Sequence, residues 1–377
     1  MANSNMAKKQ TKMRYWDIRP IKKIPALYRV VYGERSNGKT YGVLVELIKQ
    51  WHEEGSQIGY VRRWPDDIKQ RNMQQLFTSI INNSEISRIT NGQWNGVKYN
   101  NGKFYLIATD MEGTTVVQDE PFCFTFAISA MEHTKSIPYP KIRNIIFDEF
   151  ISRQSYIPDE FALFMNTLSS IIRERDDVEI WMLGNTVSKD CPYFREMGLR
   201  HVVKQEPGTI DTYAYTKNGQ EMLIAVEYTE SLAAKPSDKY FIFDNPKMDM
   251  ITGGAWEMAI YPHLFEHYSP HQIMFTFFIV YRETILQCEV IDGKKGFFIY
   301  CHIKTTKLQE RPDDLIFATE PSANINYRQN IMAGDLKIER SIRQLITQDR
   351  ICFQDNEIGE VFNDYLKWCR SKTTIRR

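Results

Sequence analysis

The sequence predicts an α/β protein whose first domain has a mostly parallel sheet with flanking helices, followed by a smaller α+β domain. Between residue 26 and about residue 228, short apolar strands alternate with amphipathic helical segments, as in sheets whose strands are joined by helices. Each strand-like run is rich in β-branched or aromatic residues and ends in polar residues or glycine. The four clearest runs are residues 27–32, 58–62, 144–147 and 178–183.

The segments between these runs predict helices and one hairpin. Apolar side chains in residues 44–51 and 161–172 recur at the spacing of one helical face. Residues 97–99 and 103–105 flank the Asn-Asn-Gly sequence at 100–102, which is a strong signal for a tight turn between antiparallel strands. The hairpin therefore interrupts an otherwise alternating strand and helix pattern.

Composition limits the class of protein. The chain has 377 residues, which exceeds the usual size of a single domain. Its content of 42% hydrophobic and 13% aromatic residues excludes a disordered or fibrous protein. A net charge of +1 gives no global nucleic-acid signal. The six cysteines are widely spread, and the sequence shows neither a signal peptide nor an apolar run near the ~20 residues of a membrane span. We expect a soluble cytoplasmic protein with reduced thiols.

Two domains and a linker are expected. Residues 1–228 carry the alternating pattern, and residues 229–258 are rich in proline, glycine and polar residues, so they predict a linker. Residues 259–377 form the second domain. In it, residues 285–291 and 297–302 predict a hairpin, and a helix containing Ile358, Phe362 and Leu366 ends the chain.

A complete G-x-x-x-x-G-K-T motif follows the first predicted strand and precedes a helix. In this spacing the glycines let backbone N–H groups converge on a phosphate, the lysine reaches the β and γ oxygens, and the threonine hydroxyl binds Mg²⁺. The helix N-terminus adds partial positive charge. The sequence therefore predicts an ATP and Mg²⁺ site at Gly33, Arg35, Ser36, Asn37, Gly38, Lys39 and Thr40.

Two further strands end in residues suited to this site. Asp148 and Glu149 follow an apolar strand, where the first acid would hold Mg²⁺ together with Thr40 and the second would activate the attacking water. Asn185 and Thr186 end the strand at 178–183 and could hydrogen-bond the γ-phosphate or its water, although an ordinary turn is about as probable from position alone. Hydrolysis of ATP is thus the predicted chemistry.

With these residues in place, the chain resembles the phi29-like bacteriophage DNA-packaging ATPases, a branch of the ring-forming P-loop (ASCE, FtsK-HerA-like) motors related to terminase large subunits. The resemblance runs through most of the first domain. Its most specific stretches, in chain order, are residues 60–63, 135–136, 139–140, 146–151, 156–158, 184–188 and 192–194.

The resemblance implies roles for individual residues. The P-loop lysine and arginine of the family fall on Lys39 and Arg35, its Mg²⁺ aspartate on Asp148 and its catalytic glutamate on Glu149. Its arginine finger, which acts on the site of a neighbouring subunit, falls on Arg173 or alternatively on Arg175, and a second such residue falls on Lys135. Such a finger neutralises charge that develops on the γ-phosphoryl oxygens.

The resemblance also implies partners. A homo-oligomeric ring of five copies would translocate double-stranded DNA into the prohead in the host cytoplasm, docked on the portal protein and, where the phage has one, on a structural packaging RNA. Arg62 and Arg63 are candidate DNA contacts. A terminase-type ATPase-nuclease or a P-loop helicase is the alternative, since both share the P-loop chemistry.

The resemblance further implies that the second domain has an RNase H-like fold that has lost nuclease activity. Its predicted hairpin holds only two acids, Glu289 and Asp292, whereas a two-metal nuclease needs several convergent carboxylates. An H-x-x-E-H sequence at residues 263–267 matches the order of an inverted zinc-protease helix, but such short matches are usually accidental. We therefore expect no zinc site there.

Overall fold

The computed structural model describes residues 15–134, 137–152, 156–187, 191–230, 261–282, 284–309, 311–324 and 326–374. The chain divides into two compact units, Met1–Glu257 and Met258–Arg377. Of the linker predicted at residues 229–258, all but the first two residues lie outside these ranges, so that linker stays a prediction. No helix within the described ranges is long and apolar enough to cross a membrane.

The first unit is organised around one ten-stranded sheet in the order β3-β4-β6-β2-β7-β8-β1-β10-β9, with β5 paired to β4. Strands β6, β2, β7, β8, β1 and β10 are parallel neighbours, and the remaining pairs are antiparallel. The strands are β1 (Tyr28–Gly33), β2 (Gln57–Arg62), β3 (Gly96–Asn100), β4 (Lys103–Thr109), β5 (Thr115–Val117), β6 (Cys123–Ala127), β7 (Ile142–Asp148), β8 (Glu179–Asn185), β9 (Thr209–Lys217) and β10 (Gln220–Tyr228).

Helices cover both faces of this sheet. The two long ones are α2 (Lys39–Glu54) and α6 (Glu160–Ile172). The short ones are α1 (Arg19–Lys22), α3 (Gln70–Met73), α4 (Thr78–Asn82), α5 (Glu85–Ile89) and α7 (Pro192–Glu196), with 3₁₀ turns at Pro65–Ile68, Ile128–Thr134 and Val202–Lys204.

The central strands separate two apolar cores. Successive residues of a strand point to opposite faces, so Ile146 of β7 packs in the core with Leu47 of α2, and Phe147 packs in the core with Phe164 of α6. All six residues of β1 are buried, as expected for a strand covered on both faces. Burial on both sides explains why these strands read as continuous apolar runs in the sequence.

The predicted fold class is confirmed for this unit. Each of the four predicted parallel strands is present, with ends that differ by at most two residues from the predicted ones. The predicted hairpin is β3-β4, and its turn residues Asn101 and Gly102 both have positive φ, as a two-residue turn between twisted strands requires. The sequence did not predict β9 and β10, an antiparallel pair that joins the sheet beside β1.

The second unit has a six-stranded mixed sheet in the order β15-β14-β11-β12-β13-β16. Strands β11, β12 and β13 are antiparallel, and β14 and β16 are added in parallel to β11 and β13. The elements are β11 (Ile273–Tyr281), β12 (Thr284–Gly293), β13 (Gly296–Ile303), β14 (Leu315–Ala318), β15 (Tyr327–Arg328), α8 (Lys337–Thr347), β16 (Ile351–Phe353) and α9 (Asn356–Thr374), with a 3₁₀ turn at Pro270–Gln272.

The predicted hairpin and last helix of this unit are both present, as β12-β13 and α9. Helices α8 and α9 bury their apolar side chains in one core with Phe277, Leu286 and Ile299 of the sheet. An α+β unit is therefore observed, whereas the RNase H-like assignment stays a prediction.

Candidate nucleotide site at the carboxyl edge of the first sheet

The G-x-x-x-x-G-K-T motif forms the loop that joins β1 to α2. Gly33 has φ +150°, and a Cβ at this position would overlap the hydroxyl of Thr229. Gly38 has φ +91° and directly precedes α2. Residues other than glycine rarely adopt such backbone conformations. The loop therefore requires glycine at both positions. The N-terminus of α2 consequently faces the loop interior.

Lys39 is buried and its ammonium group lies inside this loop. Its Nζ donates to the Glu34 carbonyl at 2.6 Å, to Asn37 Oδ1 at 3.1 Å and to Asn185 Oδ1 at 3.3 Å. The last contact joins the loop to the end of β8, so the side chain amide of Asn185 lies at this site as predicted from its position. An ammonium group fixed inside a loop of this type is suited to a phosphate group.

Thr40 and Asp148 meet at the ends of α2 and β7. The Thr40 hydroxyl lies 3.2 Å from each oxygen of the Asp148 carboxylate, and the Tyr60 hydroxyl donates to Asp148 Oδ2 at 2.8 Å. Burial raises the pKa of Tyr60 well above its usual value and the nearby Asp148 raises it further, so Tyr60 keeps its proton and donates. Tyr60 thereby fixes one carboxylate oxygen.

These oxygen donors fit a magnesium ion that completes its coordination with phosphate and water. A hydroxyl and one carboxylate are the hard ligands Mg²⁺ takes, and it keeps several ligand positions for water and phosphate. Within the described residues, no group of three or more His, Cys, Asp or Glu side chains could hold a metal by itself.

Glu149 lies at the mouth of the site with a strained backbone. Its φ is +57°, which is uncommon for a non-glycine residue and costs about 1–3 kcal/mol. Its Oε2 accepts a hydrogen bond from Arg62 Nη2 at 2.6 Å, and its side chain is 59% exposed. The carboxylate is therefore both accessible and held by one arginine.

Two cavities open at this edge. One of about 230 Å³ is lined by the phosphate-binding loop, by the first residues of α2 and by Asp148, Glu149 and Asn185. Another of about 480 Å³ is lined by Arg35, Ser36 and Glu149, among others. The predicted loop, acid and amide residues thus line two neighbouring cavities at the carboxyl ends of β1, β7 and β8.

The prediction that Arg63 contacts DNA is wrong. Arg63 is buried, and it donates to Glu160 Oε2 at 2.8 Å, to the Phe150 carbonyl at 2.8 Å and to the Glu149 carbonyl at 3.2 Å. Glu160 also accepts from Tyr193 at 2.9 Å. The guanidinium therefore stabilises the backbone just after β7 and is unavailable to a phosphate chain.

The residues predicted to act on a neighbouring subunit are placed differently from one another. Arg173 follows α6 directly and is exposed. Arg175 is half-buried, and its guanidinium donates hydrogen bonds to backbone carbonyls, including those of Ile172 and Ile142. Lys135 lies outside the described residues, so its predicted role is not addressed by the structure.

The H-x-x-E-H segment is extended and not helical. His263 forms an isolated bridge with Phe353, and residues 261–269 contain no helix. Since the zinc-protease motif requires both histidines on one face of a helix, the geometry of that motif is missing here.

Sequence reasoning missed two residues of the site, Tyr60 and Thr229. Thr229 follows β10, accepts a hydrogen bond from Asn37 Nδ2 at 2.7 Å and packs on Gly33. Tyr60 lies on β2, the neighbour of β7. The available signal was sheet order: residues at the carboxyl ends of strands adjacent to β1 and β7 must share this edge.

The sheet order, the loop and the polar edge together define a P-loop α/β protein. The sequence model for "Podovirus DNA encapsidation protein (Gp16)" matches residues 12–206, about half of the chain. This protein belongs to the podovirus Gp16 DNA encapsidation family, which confirms the resemblance drawn from the motifs.

Curated relatives include the DNA packaging protein of Bacillus phage B103, 29% identical over 217 residues, which are 53% of this chain and 61% of that protein. The DNA packaging protein of Bacillus phage phi29 is 28% identical over 167 residues, 44% of each chain. The alignments therefore span about half to three fifths of the curated relatives.

Solved structures share the fold over nearly the whole chain. A chain of the phi29 viral genome packaging motor assembly has a TM-score of 0.53 at 19% identity and covers 93% of this chain and 98% of its own. A chain of the Phi-28 gp11 DNA packaging motor has a TM-score of 0.50 at 18% identity, with 94% and 96% covered. These likenesses establish the fold.

Proposed function

We propose that this protein is an ATP-hydrolysing subunit of a motor that moves double-stranded DNA into a phage prohead. The observation that carries this proposal is the convergence of Lys39, the Thr40–Asp148 pair and Glu149 at one edge of the sheet. Family membership supports DNA as the cargo, because the curated relatives are named DNA packaging proteins.

Each residue at the edge has a distinct task in this proposal. Lys39 and the loop amides bind the β and γ phosphates. Thr40 and Asp148 would hold Mg²⁺, which when bound neutralises phosphate charge, and Tyr60 orients the Asp148 carboxylate. Glu149 accepts a proton from the attacking water, provided that one of its oxygens turns from Arg62 toward the cavity. Asn185 positions the lysine and, with it, the terminal phosphate.

Besides Arg35, which lines the wider cavity, this proposal gives the γ-phosphate a positive charge from outside the subunit. Arg173, exposed beyond α6, is proposed to supply that charge to a neighbouring copy, with Lys135 as a second donor. This requires a closed ring, for which five copies is our proposal. Duplex DNA would pass through it, and the ring would dock on the portal protein, with a packaging RNA as a further possible partner, in the host cytoplasm.

The second unit is proposed to be an RNase H-like docking domain without nuclease activity. Of the two acids in its hairpin, Glu289 is buried and already accepts hydrogen bonds from Tyr268 at 2.6 Å and Gln287 at 2.8 Å. This leaves Asp292 alone and disfavours the alternative of a terminase-type nuclease. Duplex DNA incubated with the protein and Mn²⁺ should stay intact, and cleavage that disappears in Asp292→Asn would refute this assignment.

Mixed assemblies test the shared site. Subunits with Glu149→Gln and subunits with Arg173→Ala should each be inactive alone, whereas their mixture should recover partial ATPase activity, because some interfaces then pair an intact glutamate with an intact arginine. Recovery should peak at intermediate mixing ratios. Absence of recovery at every ratio, with each variant folded and assembled, would contradict a site completed between subunits.

A further inference from the structure

The turn that follows α6 holds Arg173 in an unusual backbone conformation. Arg173 has φ +56° and ψ −128°, and the Arg175 N–H donates to the Ile172 carbonyl at 3.3 Å. These values describe a tight turn whose first central residue has positive φ, a position that glycine normally occupies. An arginine is strained there. Such strain persists only where the surrounding structure holds the backbone in place.

Arg175 provides that support. A guanidinium group has five N–H donors in a fixed plane, and all five of them are used on backbone carbonyls. Nε donates to Ile172 at 3.2 Å, Nη1 to Pro140 at 3.2 Å and to Ile142 at 2.7 Å, and Nη2 to Tyr139 at 3.3 Å and to Ile171 at 3.1 Å.

These carbonyls belong to two separate segments of the chain. Ile171 and Ile172 are the last residues of α6, whose final carbonyls have no partner within the helix. The other three carbonyls lie in the segment 139–142, which leads into β7. One side chain therefore caps the helix and fastens its end to the segment before the strand that carries Asp148 and Glu149.

An acidic residue completes the anchor. Asp177 Oδ1 lies 3.5 Å from Arg175 Nη1, and its Oδ2 lies 3.2 Å from Arg143 Nε. The side chain of Arg175 is only 23% exposed. By contrast, Arg173 is exposed and its guanidinium has no polar partner among the residues that the structure describes.

We propose that Arg175 is a positioning residue that holds the strained turn and so directs Arg173 outward toward the nucleotide of a neighbouring copy. This inference rests on the proposed function. It excludes Arg175 as the alternative arginine finger, because all five of its N–H donors are already hydrogen-bonded to backbone carbonyls. Arg175 then acts on catalysis only through Arg173.

A double-mutant comparison of steady-state ATPase rates tests the proposal in the full-length protein. We expect Arg173→Ala to lower kcat by about 10³-fold or more. Arg175→Ala should lower kcat by roughly 10- to 100-fold with KM and ATP affinity unchanged, since a misplacement of about 1 Å has an effect of that order. The double variant should be no slower than Arg173→Ala alone.

Two outcomes would overturn the positioning role. One is a double variant that is slower than Arg173→Ala by the full factor seen for Arg175→Ala, because Arg175 would then contribute independently of Arg173. The other is an unchanged kcat in Arg175→Ala. If instead Arg173→Ala has no effect, or the wild type hydrolyses no ATP, the proposed function itself fails, and this result is distinguishable from both.

Stability of the turn gives a readout that does not depend on activity. Arg173→Gly should unfold at a higher temperature than Arg173→Ala, because both remove the guanidinium and only glycine relieves the positive φ. Arg175→Ala should lower the unfolding temperature less in the R173G background than in the wild type. An equal loss in both backgrounds would show that Arg175 does not hold the turn. If the alanine variant does not fold, Arg175→Lys, which has three donors, takes its place in this comparison.

Discussion

Charged side chains come together in two regions of the molecule, the carboxyl edge of the first sheet and a polar cluster around Glu289 at the second sheet. The regions differ in whether those side chains border an open cavity or are enclosed by one another. At the edge, Lys39, Asp148 and Glu149 border a cavity. In the cluster, Glu289 is enclosed by Tyr268, Gln287 and His302. The edge keeps room for a ligand, whereas the cluster has filled it with its own side chains.

Backbone conformation separates the two regions as well. Ser36 and Glu149 at the edge have φ near +58°, and Gly33 and Gly38 are also positive. In the cluster, Gln287, Glu289 and His302 lie on regular antiparallel strands with an unbroken register, and Tyr268 reaches them from the preceding loop. Strain of this kind is retained where function requires it. The difference teaches that a group of charged residues indicates a binding site when its side chains leave room for a ligand, and not when they satisfy one another's hydrogen bonds.

The largest expected effect is that of Lys39→Ala, which should abolish turnover and weaken ATP binding. Removing a buried ammonium that meets a phosphate costs about 2–5 kcal/mol, or roughly 30- to 4,000-fold in affinity. Binding of a fluorescent ATP analogue measures this. Lys141→Ala, an exposed lysine at the opposite end of β7, is the matched control and should bind normally. Equal losses in both variants would count against a phosphate site at Lys39.

Glu149→Gln should separate binding from hydrolysis. We expect kcat to fall by about 10²–10⁴-fold, the range for loss of a general base, while the affinity for ATP is retained. Glu112→Gln, an exposed acid in a turn of the same unit, should leave both quantities unchanged. A rate near that of the wild type in Glu149→Gln would place the base elsewhere.

An effect on stability, and not on the nucleotide site, is expected for Arg63→Ala. This change leaves Glu160 buried without its ion-pair partner, which costs about 3–5 kcal/mol. Urea unfolding should show a lower midpoint, and Arg71→Ala on the exposed side of α3 should show little change. If the Arg63 variant were as stable as the wild type and lost affinity for duplex DNA, our structural assignment would be wrong.

The polar cluster around Glu289 should make the stability of the second unit depend on pH. Burial would raise the pKa of Glu289, but hydrogen bonds from His302, Tyr268 and Gln287 outweigh it and lower that pKa to about 2. The hydrogen bond to Glu289 raises the pKa of His302. The Glu289 contribution to stability is complete above about pH 4.5 and is lost as the pH falls toward 2.

The His302 contribution has the opposite sign. It is complete below the ordinary histidine pKa of about 6.5 and is lost as the pH rises through the higher folded-state value. Stability of the second unit should thus be greatest between about pH 5 and 6.5. Glu289→Gln should lower it there by about 1–3 kcal/mol and flatten the pH profile of thermal unfolding, with Asp292→Asn as the exposed control. A profile unchanged in Glu289→Gln would contradict the pairing.

The sequence predicted those parts of the molecule whose causes are local. The glycines and lysine of the phosphate-binding loop, the apolar strand before it and the Asn-Gly turn at residues 101–102 each depend on neighbours within a few positions. These features predicted the fold class, the edge of the sheet and most of its residues. Strand ends shifted by at most two residues, because the apolar pattern reports burial whereas the strand bounds follow backbone hydrogen bonding.

The parts that were missed depend on contacts between distant residues. Arg63 reads as a surface cation until Glu160 is known to lie beside it. Thr229 reads as the start of a linker until β10 is known to pair with β1. Arg175 reads as an exposed cation until its guanidinium is known to donate to carbonyls more than thirty residues earlier. None of these pairings has a signal in the spacing of residues along the chain.

The most direct test of the central claim, that ATP hydrolysis at the sheet edge is coupled to duplex DNA, is the steady-state ATPase rate of the purified protein with and without DNA across a range of salt. Contacts to phosphates weaken steeply as salt rises. The account predicts stimulation by duplex DNA of any sequence at low salt, lost at high salt and lost in Glu149→Gln. ATP hydrolysis that ignores duplex DNA at every salt concentration would contradict it.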